Sequence, residues 1–279
     1  MSLIEKIRIL ISHPSFKKTP LLVFYRLISW RIRCWLGIST VINLPKWNVK
    51  LFLPAQWRGA AKIVYLFRED YDSELISLNK NLLTGNVFVD AGANIGIYTI
   101  IAAKLVGESG RVIAFEPTIE SYNALNKSIE LNELKNVQVY QCALSNREGK
   151  TRFYTHPDSS RNSLGPIPGA NKGINVNIVM LDKILEQEKV SRVDFIKMDV
   201  EGAEELVLKG ATNLLSKHKP VILFESNFIA SKALGLLNSG AWDFLKSEGY
   251  KIFTINDLGE PLNEILTPST GNFIAVFNS

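Results

Sequence analysis

Cysteine and histidine are scarce in this 279-residue chain, and each shortage closes a class of function. Two cysteines, Cys34 and Cys142, make neither a disulfide framework nor a zinc site, and they point to a reducing, cytoplasmic setting. Three histidines, His13, His156 and His218, lack the spacing of metal ligands, so no metal is expected. No uncharged apolar run approaches the roughly 18 residues that a membrane span needs. The N-terminal MSLIEKIRIL carries an early acid and no small-residue cleavage site follows it, which reads against a secretory signal. Internal repeats and low-complexity tracts are also missing.

Acidic residues are rare at one end. Residues 1–50 hold nine Lys/Arg and one acid, Glu5, for a net charge of +8, while the rest of the chain carries 23 basic and 26 acidic residues. The basic balance therefore belongs to an N-terminal arm, and nucleic acid is not the expected partner of the main domain. The arm is also apolar and aromatic: PLLVFYRLISWRIRCWLGIS (20–39) sets Arg26, Arg31 and Arg33 among large side chains. It reads first as a helix packed on the main domain with its arginines reaching to water. A second reading lays it on anionic lipid, with Trp30 and Trp35 at the interface, as a peripheral membrane contact.

The 46% apolar content supports a substantial core. Residues 40–69 (VINLPKWNVKLFLP, then AKIVYLF) suggest short strands or hairpins, and SELISLNKNLL (73–83) has helical spacing that stops at Thr84-Gly85. From position 87 strand and helix patterns alternate. VFVD, RVIAFEP, VQVYQCAL, DFIKMDV and PVILFES read as strands, with YTIIAAKLVG, SYNALNKSIELN, AEELVLKGATNLLSKH and AWDFLKSEGY as helices among and after them. KIFTIN and NFIAVF end the chain without a helix between them, so they can pair antiparallel. The chain thus divides into an arm over 1–70 and an α/β domain over 71–279. Residues 149–181 interrupt the alternation as an inserted loop with two strand-like pieces, TRFY and INVNIVML.

Chemistry gathers at three places. In VFVDAGANIG a strand delivers Asp90 to a turn with Gly92 and Gly96, at the kind of switch point where open α/β sheets bind ligands. The spacing is G-x-x-x-G, with Asn94 where a dinucleotide fold has its second glycine, so the turn suits something less anionic than a pyrophosphate. Glu116 ends the next strand 24 residues after Gly92, near the roughly 20-residue gap of an acid that binds ribose hydroxyls. Alone, such a strand-terminal acid is often only solvated. Third, KMDVEGAEE crowds Asp199, Glu201 and Glu204 at a strand end and helix start, where acids either complement the helix dipole or face a ligand. Gly149-Lys150-Thr151 ends like a phosphate-binding loop, but Leu144 stands at the required upstream glycine, which dismisses it.

VFVDAGANIGIYT, VIAFEP, the LDKIL after INVNIVM, DFIKMDVEGAE and PVILFE together resemble the FkbM family of S-adenosylmethionine-dependent methyltransferases over about residues 71–230. The resemblance implies a Rossmann-like methyltransferase fold: a mostly parallel seven-stranded sheet, antiparallel in its last strand, with helices on both faces. It implies that Asp90, Gly92, Asn94 and Gly96 line the methionine and ribose part of S-adenosylmethionine. Glu116 would hold the ribose hydroxyls, and Cys142 and Ala143 would flank the adenine. Asp199 and Glu201 would face the methyl donor and a small-molecule or glycan acceptor, most often a hydroxyl of a sugar, glycolipid or secondary metabolite. An acceptor hydroxyl must lose a proton, and Asp199, Glu201 and the loop histidine His156 are the candidates to take it. Two other classes stand beside this one: a nicotinamide-dependent oxidoreductase on the same sheet, and a membrane-surface module without catalysis.

Overall fold

The computed structural model describes residues 8, 10–72, 74–171, 173–256 and 258–277. Most of MSLIEKIRIL lies outside them, as does Ser73, where the helix over 73–83 was expected to begin. Prolines start the helices α1 (Pro14–Lys18) and α2 (Pro20–Leu36), at positions whose N–H has no helical partner in any case. Gly37, left-handed at φ 68°, closes α2. A hairpin of β1 (Thr40–Leu44) and β2 (Val49–Leu53) follows. Side chains of a later helix satisfy its outer backbone: Phe52 N donates to Ser128 Oγ at 3.0 Å and Lys50 N to Asn132 Oδ1 at 2.8 Å.

AKIVYLF, expected as a strand, is the helix α3 (Ala60–Phe67). A short apolar run does not reveal its period when both of its sides are buried, and here they are. Val64 enters the core beneath the main sheet, while Leu66 and Phe67 pack against Val23 of α2. The arm is fastened along this helix. Trp30 stacks at a tilt on Tyr65, with centroids 4.9 Å apart, and Ser29 Oγ lies 3.0 Å from the Tyr65 hydroxyl. Arg26 does not reach for water; its Nη1 donates to Leu66 O at 3.0 Å, near the C-terminal end of α3.

After α4 (Leu75–Asn81), the main sheet is built from β3 (Val87–Ala91), β4 (Arg111–Phe115), β5 (Val137–Tyr140), β9 (Phe195–Met198), β10 (Val221–Ser226), β11 (Tyr250–Ile255), β12 (Pro261–Glu264) and β13 (Gly271–Phe277). Its order is β12-β11-β13-β10-β9-β3-β4-β5. β10, β9, β3, β4 and β5 run parallel, and β13 inserts antiparallel between β10 and β11. The fold is the expected Rossmann-like one with an antiparallel last strand. The loop before β13 supplies an eighth strand, β12, at the edge. Alternate side chains of β3 enter two cores. Phe88 joins the layer under α5 (Ile97–Val106) and α6 (Ile119–Leu131), and Val89 joins the opposite layer.

That opposite layer holds α7 (Leu181–Gln187), α8 (Glu204–Lys209), α9 (Thr212–His218) and α11 (Gly240–Ser247), with α10 (Phe228–Ala233) nearer the carboxyl end of β10. Two continuous readings are divided in the structure. VQVYQCAL breaks at Gln141: β5 stays in the main sheet, while β6 (Ala143–Leu144) turns into a small sheet with β7 (Gly149–Phe153) and β8 (Ile174–Val179). AEELVLKGATNLLSKH breaks at Gly210, where a Cβ would stand 2.1 Å from Ser145 O, so the backbones touch and the helix restarts as α9.

Candidate active site

Strand order turns back at β3, with β4 and β5 to one side and β9 to the other, and the carboxyl ends of the parallel strands β3 and β9 frame a cleft. Gly92 forms its floor at φ 84°, where a Cβ would stand 2.0 Å from the backbone oxygen of Asp199. Both the conformation and the contact require glycine. Asn94 is also left-handed, at φ 51°, and its backbone N–H donates to Glu116 Oε2 at 2.9 Å. Thr118 donates its N–H (2.9 Å) and its hydroxyl (2.5 Å) to Glu116 Oε1. Burial raises the Glu116 pKa, and the Thr118 and Asn94 hydrogen bonds oppose the rise. Three donors leave one of the carboxylate's roughly four acceptor positions open to a ligand hydroxyl. Cys142, Ala143 and Phe115 add an apolar wall, and burial pushes the Cys142 thiol up to about 12, so it stays neutral. An apolar wall, a carboxylate with a free acceptor position and a floor cleared of side chains fit an adenosyl group.

Gly92, Asn94, Glu116, Cys142 and Ala143 therefore meet in one cleft, whereas Asp90 and Gly96 do not line it. Asp90 shares the face of β3 that carries Phe88, so it points under α5, where Thr99 Oγ1 donates to its Oδ2 at 2.6 Å. Gly96 begins α5 at φ 90°, and a Cβ there would meet Leu125 Cδ1 at 2.3 Å; it lets two helices pack. His156 is occupied elsewhere. Its Nδ1 accepts from Asp158 N at 2.9 Å and its Nε2 lies 3.5 Å from Arg161 Nη1, outside both cavities described here. The same inserted loop instead sends Ser159, Ser160 and Asn162 to the cleft. Ser163 anchors it by donating to Glu201 O at 2.7 Å.

A second cavity, sharing Ser160, Asp199 and Glu201 with the first, is lined by Asp72, Glu74, Lys197 and Glu225. Carboxylate oxygens of Asp199, Glu201 and Glu225 lie within 4.8 Å of one another. The fold thus brings Glu225, from the strand beside β9, to the acids at the end of β9. Lys197, buried, donates to Asp199 Oδ2 at 3.1 Å and lies 4.5 Å from the Tyr98 ring centroid. Burial works against its ammonium, but Asp199 and Asp90 hold its pKa above the ordinary lysine value.

The acids around it are shifted upward. Burial, with Asp199 and Glu204 nearby, pushes Glu201 up to about 8, although Asn227 Nδ2 donates to its Oε2 at 2.9 Å. Burial and the nearby charges of Asp199 and Glu201 push Glu225 up. Burial pushes Glu204 up to about 7 while its Oε1 accepts from Val200 N and Gly202 N. Near neutral pH the cluster therefore retains protons and can exchange them with a bound group. Glu225 ends the strand beside β9, so the rule that singles out Asp199 also reaches it. Asp72 and Glu74 precede the first core strand and carry no such signal.

Comparison with known proteins gives the family. The methyltransferase FkbM domain model matches residues 90–252, more than half of the chain. "Methyltransferase 1" of Beauveria bassiana is 28% identical over 142 residues, which cover 44% of this chain and 57% of that protein. "31-O-demethyl-FK506 methyltransferase FkbM" of Streptomyces tacrolimicus is 25% identical over 54% of this chain and 70% of its own length. "Hexuronic acid methyltransferase AglP" of Haloferax volcanii is 26% identical over 60% of this chain and 62% of its own. The chain thus spans less than two thirds of the Beauveria and Haloferax proteins. Among solved structures, a methyltransferase FkbM from Methylobacillus flagellatus KT is 17% identical with a TM-score of 0.45, over 78% of this chain and 54% of that one. An O-methyltransferase from Bacillus cereus is 15% identical with a TM-score of 0.46, over 91% of both chains. The chain belongs to the FkbM methyltransferase domain family.

Proposed function

We propose that this protein transfers a methyl group from S-adenosylmethionine to a hydroxyl of a sugar, glycolipid or small secondary metabolite. The observation that carries the reading is adjacency: the Gly92–Asn94–Glu116 cleft and the Asp199–Glu201–Glu225 cavity share Ser160, Asp199 and Glu201 in their walls. Family membership supports methyl transfer, and the names of two relatives, one a 31-O-demethyl-FK506 methyltransferase and one a hexuronic acid methyltransferase, support an oxygen-rich acceptor. We assign the methyltransferase unit to residues 71–279 and treat 1–70 as its arm.

S-adenosylmethionine brings a methyl group already activated on a sulfonium, so the chain's own work is alignment and proton removal. Glu116 would hold the ribose, Gly92 and Asn94 would let the backbone approach it, and Cys142 and Ala143 would border the adenine. In the second cavity carboxylate oxygens of Asp199 and Glu225 lie within 4.8 Å of each other, so a proton from an acceptor hydroxyl would have a carboxylate pair to enter. Lys197, 3.1 Å from Asp199, holds that carboxylate in place. The nicotinamide reading loses ground to the family assignment. The test is mass spectrometry of glycans, lipids and small metabolites from producing cells with the wild-type gene or an Asp199→Ala copy. A species one methylene heavier in the wild type alone supports methylation; identical profiles, with both proteins folded and abundant, count against it.

A further inference from the structure

Helix α2 is apolar on two opposite sides, and the fold uses one of them. Val23, Trp30 and Cys34 are buried against the domain. On the other side stand Leu21, Phe24, Tyr25, Ile28, Ile32 and Trp35, all exposed, with Leu21 at 85% and Trp35 at 77%. At the helical repeat these six occupy an arc of about 100°, and every residue of α2 within that arc is one of them. A surface stripe of this extent without a charge marks an interaction site. Exposed Arg31 borders it, and exposed Lys17 and Lys18 lie on the preceding helix. Among the described residues no helix is long and apolar enough to cross a membrane.

We propose that this face of α2 lies in the surface of an anionic lipid bilayer, with its apolar stripe in the acyl boundary and the flanking basic residues on the headgroups. Charge selects this occupant over a second copy of the chain. Residues 1–50 carry +8, so pairing two arms would set like charge against like, whereas an anionic surface complements it. Trp35 and Tyr25 add amphipathic rings of the kind that favour a headgroup boundary. The buried side of the same helix reaches the cleft. Trp30 Nε1 donates to Gln56 O at 2.9 Å, and Gln56 Oε1 accepts from Ser159 Oγ, a cleft residue, at 3.3 Å. The bilayer-facing helix and the candidate active site are thus neighbours.

Vesicle co-sedimentation of the full chain tests this, with phosphatidylcholine vesicles alone and with added phosphatidylglycerol. The expected result is binding to the anionic vesicles, weakening as salt is raised, and loss of the bound fraction in Ile28→Glu/Ile32→Glu. Both positions are exposed, so the variant should melt with the wild type; Leu21→Glu serves if it does not. The proposal is overturned if the wild type stays in the supernatant, if it binds neutral vesicles equally well, or if folded variants bind unchanged. A wild-type dimer that the substitutions split, without vesicle binding, would assign the face to a second copy.

Discussion

Replacing Gly92 by alanine tests the floor of the cleft through two separable costs. At φ 84° any L-residue is strained, by about 1–2 kcal/mol. The new Cβ would also stand 2.0 Å from Asp199 O and 3.0 Å from Asp199 C, backbone atoms that no rotamer change can move. Relief requires the ends of β3 and β9 to part, although Asp199 N donates to Ala91 O at 3.0 Å to hold them together. Overpacking of this kind costs about 1–3 kcal/mol, for a total of about 2–5 kcal/mol. In a chain of 279 residues that corresponds to a fall in Tm of roughly 3–10 °C. Gly37→Ala is the matched control, because Gly37 is left-handed at φ 68° with no atom within 4 Å of its Cβ position. It should show the conformational cost alone. Thermal unfolding of both variants reads the difference, and titration with S-adenosylhomocysteine should show binding lost only in Gly92→Ala. Equal melting temperatures and equal binding in the two variants would refute the close approach and the role assigned to it.

Glu116→Gln keeps an acceptor oxygen for Thr118 but turns an NH2 toward the Asn94 N–H and removes the charge; S-adenosylhomocysteine should bind roughly tenfold or more weakly by calorimetry, with a modest fall in Tm from the buried hydrogen bond lost. Asp199→Ala should abolish turnover, and Glu225→Gln should lower kcat more than it weakens binding of S-adenosylhomocysteine; normal turnover in both would remove the carboxylate pair from the chemistry. Glu204 is protonated more readily in the folded chain, at about 7, than at its ordinary 4.5. Between those values the native state binds more protons than the unfolded state, so its contribution to stability is greatest below pH 4.5 and declines as pH rises to about 7. Denaturant midpoints of Glu204→Gln across that window should fall less steeply than those of the wild type; parallel curves would mean that the burial of this acid has no such cost.

Much of the site is legible where neighbouring residues in sequence remain neighbours in space. VFVDAGANIG carries its own strand, turn and helix start, and Glu116 follows at the distance that one helix and one strand impose. Asp199 reads from its position at a strand end. Legibility fails where the third dimension chooses. Asp90 lies in the right strand, but the two-residue period turns it beneath α5, a consequence already implicit in its parity with Phe88. Gly96 has the right spacing and serves a helix contact with Leu125. His156 has suitable chemistry on the suitable loop, yet Asp158 and Arg161 engage its ring while the loop's serines reach the cleft. Glu225 enters because β10 lies beside β9, and Asp72 and Glu74 enter from a segment whose path no local pattern sets. AKIVYLF shows the same limit in the fold, since burial on two sides erases the periodicity that separates helix from strand.

The most direct measurement is calorimetric titration of the full chain, side by side, with S-adenosylhomocysteine and with NAD. Saturable binding of S-adenosylhomocysteine, weakened in Glu116→Gln and absent for NAD, is the expected result. Binding of NAD with no response to S-adenosylhomocysteine would contradict the assignment of the Gly92–Glu116 cleft to a methyl donor.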